Sequence, residues 1–335
     1  MMANKLASQT VSELSRTWRC LLGKDTIGID ENFFSLGGDP WMAMQLFEEI
    51  KKVTGRSFSP LVIYQAPTIA SLAAFLEAPK TPAFPKCVLL KPGNTEPPVF
   101  LMHGLGGNIM EFFKMVKHLQ SSRAAYGLQA RGSDGLEEPF SSIEEMAQFH
   151  VDAIKELQPH GPYLLVGYSL GGLVAIEMAR HLIGSGEEVA LLVMIDSYPP
   201  IRYAPPAQRL RVYARKAINR ARRIIRSEST EQSDNNLGRV FTPSMLKVQE
   251  AARKALADYQ PRPYPGKIRF VRAGDPLHFP DDPARVWTNF VEQMETQTVP
   301  GDHQELLTTC YEPLAAVISR YLAETPGKEQ TGSSH

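Results

Sequence analysis

Apolar residues recur at helical spacing over 11–22, at Val11, Leu14, Trp18, Leu21 and Leu22, so this stretch predicts an amphipathic helix. After the loop GKDTIGIDENFFSLGGD, a second stripe of Met42, Ala43, Leu46, Phe47, Ile50 and Val53 predicts a helix ending at Gly55. A third amphipathic stretch covers 69–76, after the run LVIYQAPT, and together these helices make a small bundle. From residue 99 the pattern changes. Short continuous apolar runs, VFLM, YLLV, VALLVMI and a strand-like KIRFVRA, alternate with helical periods. Such runs mark strands buried on both faces, hence a parallel sheet covered by helices. The expected organisation is an all-α bundle over 1–78, a proline-rich linker over 79–98 carrying a short CVLL edge strand, and an α/β domain over 99–325.

The alternation lapses over about 198–260. Pro199, Pro200, Pro205 and Pro206 open this insertion. QRLRVYARKAINRARRIIR then reads as a basic amphipathic helix with Leu210, Tyr213, Ala217 and Ile224 or Ile225 inward, and a second helix covers about 242–259. The basic face reads as a solvated surface or as a dock for an acidic carrier; membrane and nucleic-acid readings lack aromatic interleaving or a recognition fold.

Composition narrows the setting more than the chemistry. The 335 residues carry equal numbers of acidic and basic side chains, so nothing global points to nucleic acid. Three widely spaced cysteines, Cys20, Cys87 and Cys310, argue against a disulfide scaffold and against a zinc site, and suit a reducing cytoplasm. MMANKLASQT lacks the apolar core of a signal peptide, and no run reaches bilayer-spanning length, so neither membrane nor nucleic acid is an expected partner.

The chemistry centres on PYLLVGYSLGG, where the GxSxG serine is Ser169. A buried strand before it and a helix after it make a strand-to-helix elbow, whose sharpness requires small neighbours such as Gly167, Gly171 and Gly172. The earlier VFLMHGLGGN supplies a second Gly-rich turn. By position, the backbone N–H groups of Leu105 and of Leu170 are the oxyanion-hole donors of an α/β-hydrolase fold, and His103 is structural. A serine hydroxyl needs a histidine base and an orienting carboxylate, in the chain order Ser, Asp or Glu, His. Asp196 and Asp275 both end strand-like runs at the sheet edge where such groups collect. His303 follows the last strand and is the expected base, with His278 its competitor; Asp302 shapes the loop beside it.

Two resemblances sharpen these readings. AAYGLQARG and SIEEMAQFHVDAIKELQPHGPYLLVGYSLGG resemble the terminal type I thioesterase of nonribosomal peptide synthetases, an α/β-hydrolase fold with a helical lid insertion. That resemblance favours Asp196, within VMIDS, over Asp275. ENFFSLGGDPWMAMQL and LVIYQAPTIASLAAFL resemble peptidyl and acyl carrier domains, in which a serine after GGD or GGH bears a phosphopantetheine arm. Here that position is Pro40, which has no nucleophile, and Ser35 is the nearest hydroxyl. The resemblance implies a thioesterase that releases an acyl or peptidyl chain through an acyl-serine, by hydrolysis or cyclisation. It implies no bound cofactor in the thioesterase and an acyl or peptidyl carrier as partner; with Pro40 in place, the thioester is expected from a carrier on another chain or from a soluble thioester. A docking scaffold without chemistry and a general esterase are the alternatives.

Overall fold

The computed structural model describes residues 2–56, 58–78, 84–94, 96–225, 242–276 and 279–326, with backbone only at 2–9 and 219–225. Four helices come first: α1 (Met2–Leu22), α2 (Pro40–Thr54), the single turn α3 (Val62–Gln65) and α4 (Ile69–Glu77). They enclose Leu14, Trp18, Phe33, Leu46, Phe47 and Leu72. Asp39 caps α2, its carboxylate accepting from the Met42 N–H at 2.8 Å, and Pro40 sits in the first turn, where a missing N–H leaves no hydrogen bond unmade. Gly55 ends the helix at φ 68. Val53 departs from the expected apolar stripe and is 58% exposed. It lies in the last turn, roughly 80° around the helix from Ala43, past the edge of the bundle.

The second unit is a seven-stranded sheet in the order β1-β3-β2-β4-β5-β6-β7. Its strands are β1 (Cys87–Lys91), β2 (Val99–Met102), β3 (Ala125–Leu128), β4 (Tyr163–Tyr168), β5 (Val189–Ile195), β6 (Tyr264–Ala273) and β7 (Val291–Val299). The CVLL run forms the edge strand β1, antiparallel to β3, and every other pairing is parallel. Helices α6 (Ile143–Leu157) and α7 (Leu170–Gly184) cover one face; α5 (Phe113–Lys117) and α12 (Tyr311–Glu324) cover the other. β4 shows why its sequence is apolar throughout: Tyr163 and Leu165 enter the first core, while Leu164, Val166 and Tyr168 enter the second. Two short helices, α10 (Pro283–Trp287) and α11 (Glu305–Thr308), complete the loops after β6 and β7.

Between β5 and β6 the chain leaves the sheet to form α8 (Pro206–Ile225) and α9 (Pro243–Asp258). The expected inward face of α8 is not the observed one. Leu210 is 71% and Tyr213 52% exposed, and Ala217 is exposed as well, while Gln208 and Val212 are buried. Polar anchors set this phase. Arg215 donates to Asp281 at 2.5 Å and to the Phe279 carbonyl at 2.6 Å, and Gln208 donates to the Asp282 carbonyl at 3.0 Å, turning the helix away from its apolar stripe. Ile224 and Ile225 lie outside the described side chains. The end of α9 is pinned by the fully buried Glu177 of α7, which accepts from the Tyr259 hydroxyl at 2.8 Å and pairs with Arg262.

Candidate active site

β4 ends at Tyr168 and α7 begins at Leu170, so Ser169 alone makes the turn, at φ 56 and ψ −120. A side chain at positive φ is strained and persists only where its surroundings hold it. Here the Ser169 N–H donates to the Ile195 carbonyl at 2.9 Å, and the Ser197 hydroxyl donates to the Ser169 carbonyl at 2.6 Å. The flanking glycines are required by close approach: a Cβ on Gly167 would strike the Gly171 carbonyl, and one on Gly171 the Met102 carbonyl.

Asp196 directly follows β5, also at positive φ, 44. It is 2% exposed; its N–H donates to the Val271 carbonyl at 2.7 Å and its Oδ1 accepts from the Ala273 N–H at 3.1 Å. Its Oδ2 lies 2.8 Å from Nδ1 of His303, whose Nε2 lies 3.0 Å from Ser169 Oγ. A carboxylate can only accept, so Nδ1 carries the proton and Nε2 faces the hydroxyl as an acceptor. The structure therefore brings Ser169, His303 and Asp196 into one relay. Asp275 stands apart at the end of β6, its N–H bound to the Gly301 carbonyl at 3.0 Å. The Asp302 carboxylate accepts from the Gln304 and Glu305 N–H groups at 2.8 and 3.0 Å and so shapes the His303 loop. His278 lies outside the described residues.

Two aromatic residues at this site escaped the sequence reading. Tyr168 stacks on the His303 ring at 4.9 Å and 21°, and its hydroxyl donates to the His303 carbonyl at 2.7 Å. Phe279 covers the imidazole at 4.6 Å and itself stacks on Tyr198 at 5.2 Å. Tyr168 occupies a free position of GxSxG, and Phe279 belongs to a loop without periodicity; neither carries a motif signal.

On the other side of Ser169, Leu170 heads α7, where backbone N–H groups have no intrahelical acceptor. Leu105 lies in a turn closed by the Gly107 N–H on the Gly104 carbonyl at 3.2 Å, and the Gly104 N–H donates to Glu111 at 2.6 Å. A cavity of about 20 Å³ lies against Leu170, walled by His103, His150, Phe149, Val174 and, from α9, Val248. Val248 and Ala252 of α9 form its outer wall, so the insertion borders the space beside Leu170.

His103 is buried, with Nδ1 2.8 Å from the Gly104 carbonyl, and burial lowers its basicity. Burial, reinforced by nearby His103, pushes His150 down to about 3. An unfolded histidine titrates near 6.5, so between about pH 6.5 and 3 the unfolded chain takes up a proton that the folded chain refuses. This contribution is fully present above pH 6.5 and is lost as pH falls. On going from pH 7 to 5 the wild type is expected to lose about 2 kcal/mol more stability than His150→Phe, measured by urea unfolding at both values.

Fold and relay together define an α/β-hydrolase fold that brings a serine, a histidine and an aspartate into hydrogen-bonded sequence. The thioesterase-domain family matches residues 97–324, and the chain belongs to it, a family of the hydrolase class. The phosphopantetheine attachment site family matches residues 12–76. Enterobactin synthase component F of Escherichia coli (strain K12) is 27% identical over 324 residues, 94% of this chain and 24% of that protein. A dimodular nonribosomal peptide synthase of Bacillus subtilis (strain 168) is 39% identical over 184 residues, 53% of this chain and 8% of that protein. Among solved structures, a four-domain nonribosomal peptide synthetase bound to AMP and glycine aligns with 93% of this chain and 26% of its own, at TM-score 0.60 and 25% identity. The chain thus spans between 8% and 26% of each of these synthetases. Phosphopantetheine belongs to the carrier family, yet the head of α2 here reads Asp39, Pro40, Trp41 and Met42, without a hydroxyl. Ser35 lies in the preceding loop, its N–H held by Asn32 at 3.3 Å. These residues do not fit attachment of the arm. Among the described residues no helix is long and apolar enough to cross a membrane.

Proposed function

We propose that this protein is a chain-releasing thioesterase of nonribosomal-peptide type, with Ser169 as nucleophile, His303 as base and Asp196 as its orienting carboxylate. The observation that carries the reading is the Ser169–His303–Asp196 relay, with contacts of 3.0 and 2.8 Å, in a thioesterase-family domain that follows a carrier-like unit. His303 Nε2 takes the Ser169 proton as Oγ attacks the thioester carbonyl, and the N–H groups of Leu105 and Leu170 receive the oxyanion. The tetrahedral intermediate collapses, the C–S bond breaks, and the leaving thiolate takes the proton from the imidazolium. Water, or an amine or hydroxyl of the acyl chain, then gives its proton to His303, attacks the ester and expels Ser169 Oγ, which is reprotonated. Hydrolysis or cyclisation results.

With Pro40 at the head of α2, the acyl group reaches Ser169 from a carrier other than this unit or from a soluble thioester. The reducing cytoplasm suits both the free thiol product and the three unpaired cysteines. The test is rapid quench of the protein with an acyl-N-acetylcysteamine thioester, followed by peptide mass mapping. An acyl adduct on Ser169 is expected, with turnover of the thioester exceeding that of the matching oxygen ester. An adduct elsewhere, or none, overturns the assignment.

A further inference from the structure

The carrier-like unit cannot be armed through Pro40, yet it is joined to the hydrolase by a continuous apolar cluster. That cluster contains Leu61, Val62 and Ile63 around α3 together with Val88 of β1 and Ile109 and Met110 from the turn behind the HGLGG loop. Ile109 is fully buried and Met110 is 6% exposed. Phe34, from the loop before α2, packs its ring at a tilt against Tyr64 at 4.7 Å and against Phe113 of α5 at 5.3 Å, bridging the two units. A carrier that shuttles between stations would be expected to meet its neighbours through small, polar, transient contacts. This one is built in.

The segment it touches is the one that presents the oxyanion donors. Over 103–113, Leu105 packs against the core beneath α6 and α7, Ile109 and Met110 belong to the carrier cluster, and Phe112 enters the core beneath α5 and α12. Glu111 sits between the last two anchors and accepts the Gly104 N–H at 2.6 Å, while the Asn108 side chain accepts the Met110 N–H at 2.9 Å. The position of the turn thus sets the position of Glu111, and Glu111 sets the His103–Gly104 peptide, next in the chain to the one that carries the Leu105 N–H.

We propose that the carrier-like unit is a fixed buttress: through Phe34 and the turn at 109–113 it holds Glu111, and through Glu111 it holds the backbone of Gly104 and Leu105 in the geometry that receives the oxyanion. Phe34 and Glu111 are positioning residues. The proposal rests on the reading of Leu105 given above. It accounts for a carrier fold kept whole, with cap, core and glycine terminator, around a residue that cannot carry anything. Preorganised donors lose effectiveness when displaced by a fraction of an ångström, so the contribution is large without any contact to substrate.

The test uses the full chain. Amide hydrogen exchange is measured for wild type, Phe34→Ala, Phe113→Ala, which opens the same contact from the hydrolase side, and Val53→Ala as an exposed control. In the first two variants exchange over 103–113 is expected to accelerate about tenfold or more while 163–180 is unchanged. On a soluble acyl thioester kcat is expected to fall about 10- to 100-fold with KM within about twofold. Glu111→Ala should reproduce the kcat loss with the bundle intact, and Glu111→Gln, which keeps an acceptor oxygen, should restore most of it. Unchanged exchange over 103–113 in both aromatic variants, or faster exchange with undiminished kcat, overturns the buttress. A wild type without thioesterase activity would instead overturn the reading of Ser169, and exchange alone would then decide whether the carrier unit holds the loop.

Discussion

Replacing Ser169 with alanine is expected to lower kcat on an acyl thioester by a factor on the order of 10⁵, with the unfolding midpoint nearly unchanged. The hydroxyl has no substitute at this point of the relay: His303 Nε2 faces it at 3.0 Å, and the elbow places the serine at the head of α7. Alanine tolerates the same backbone turn about as well as serine does, and the hydrogen bonds that hold the turn come from its N–H and carbonyl, which the substitution keeps. The variant should therefore still bind thioesters while failing to accumulate an acyl-enzyme. Retention of more than about a hundredth of wild-type kcat would mean that another group carries the acyl chain.

Pro40→Ser is expected to convert a protein that takes no arm into one that takes a full one. After incubation with coenzyme A and a broad-specificity phosphopantetheinyl transferase, intact mass should rise by one phosphopantetheine in the variant and stay constant in the wild type. Asp39 already caps the helix by accepting from the Met42 N–H at 2.8 Å, so serine enters a formed helix start, and loss of the fixed proline φ costs at most about 1 kcal/mol. A wild type that gains the arm would show that another hydroxyl, Ser35 first, serves. A variant that gains none would show that Trp41, 47% exposed beside the site, or the docked posture of the unit blocks the transferase.

The sheet was legible because its central strands are apolar on both faces: Tyr163 to Tyr168 and Val189 to Ile195 had to be buried from two sides, and two cores receive them. The elbow was legible because close approach leaves only glycine at Gly167 and Gly171. Asp196 was harder. Two carboxylates follow neighbouring strands and local sequence does not choose between them; the resemblance to thioesterases points to Asp196, and it is Asp196 whose carboxylate meets the His303 ring, while Asp275 meets the same loop only through its backbone N–H. The inward face of α8 was misread because its stripe of Leu210 and Tyr213 is outweighed by Arg215 and Gln208, whose partners lie 64 to 74 residues away in sequence. The bridge between the carrier unit and the oxyanion loop left no trace in either pattern, since Phe34 and Phe113 become neighbours only when two separately folded surfaces meet.

Arg215 has one more effect. It grips the carbonyl of Phe279, and the ring of that same residue lies on His303, so the lid and the base share a linkage one residue long. Lifting α8 pulls on one wall of the imidazole's aromatic cage. In engineering terms this contact is an interlock: Arg215 cannot leave the Phe279 carbonyl without loosening what lies against His303.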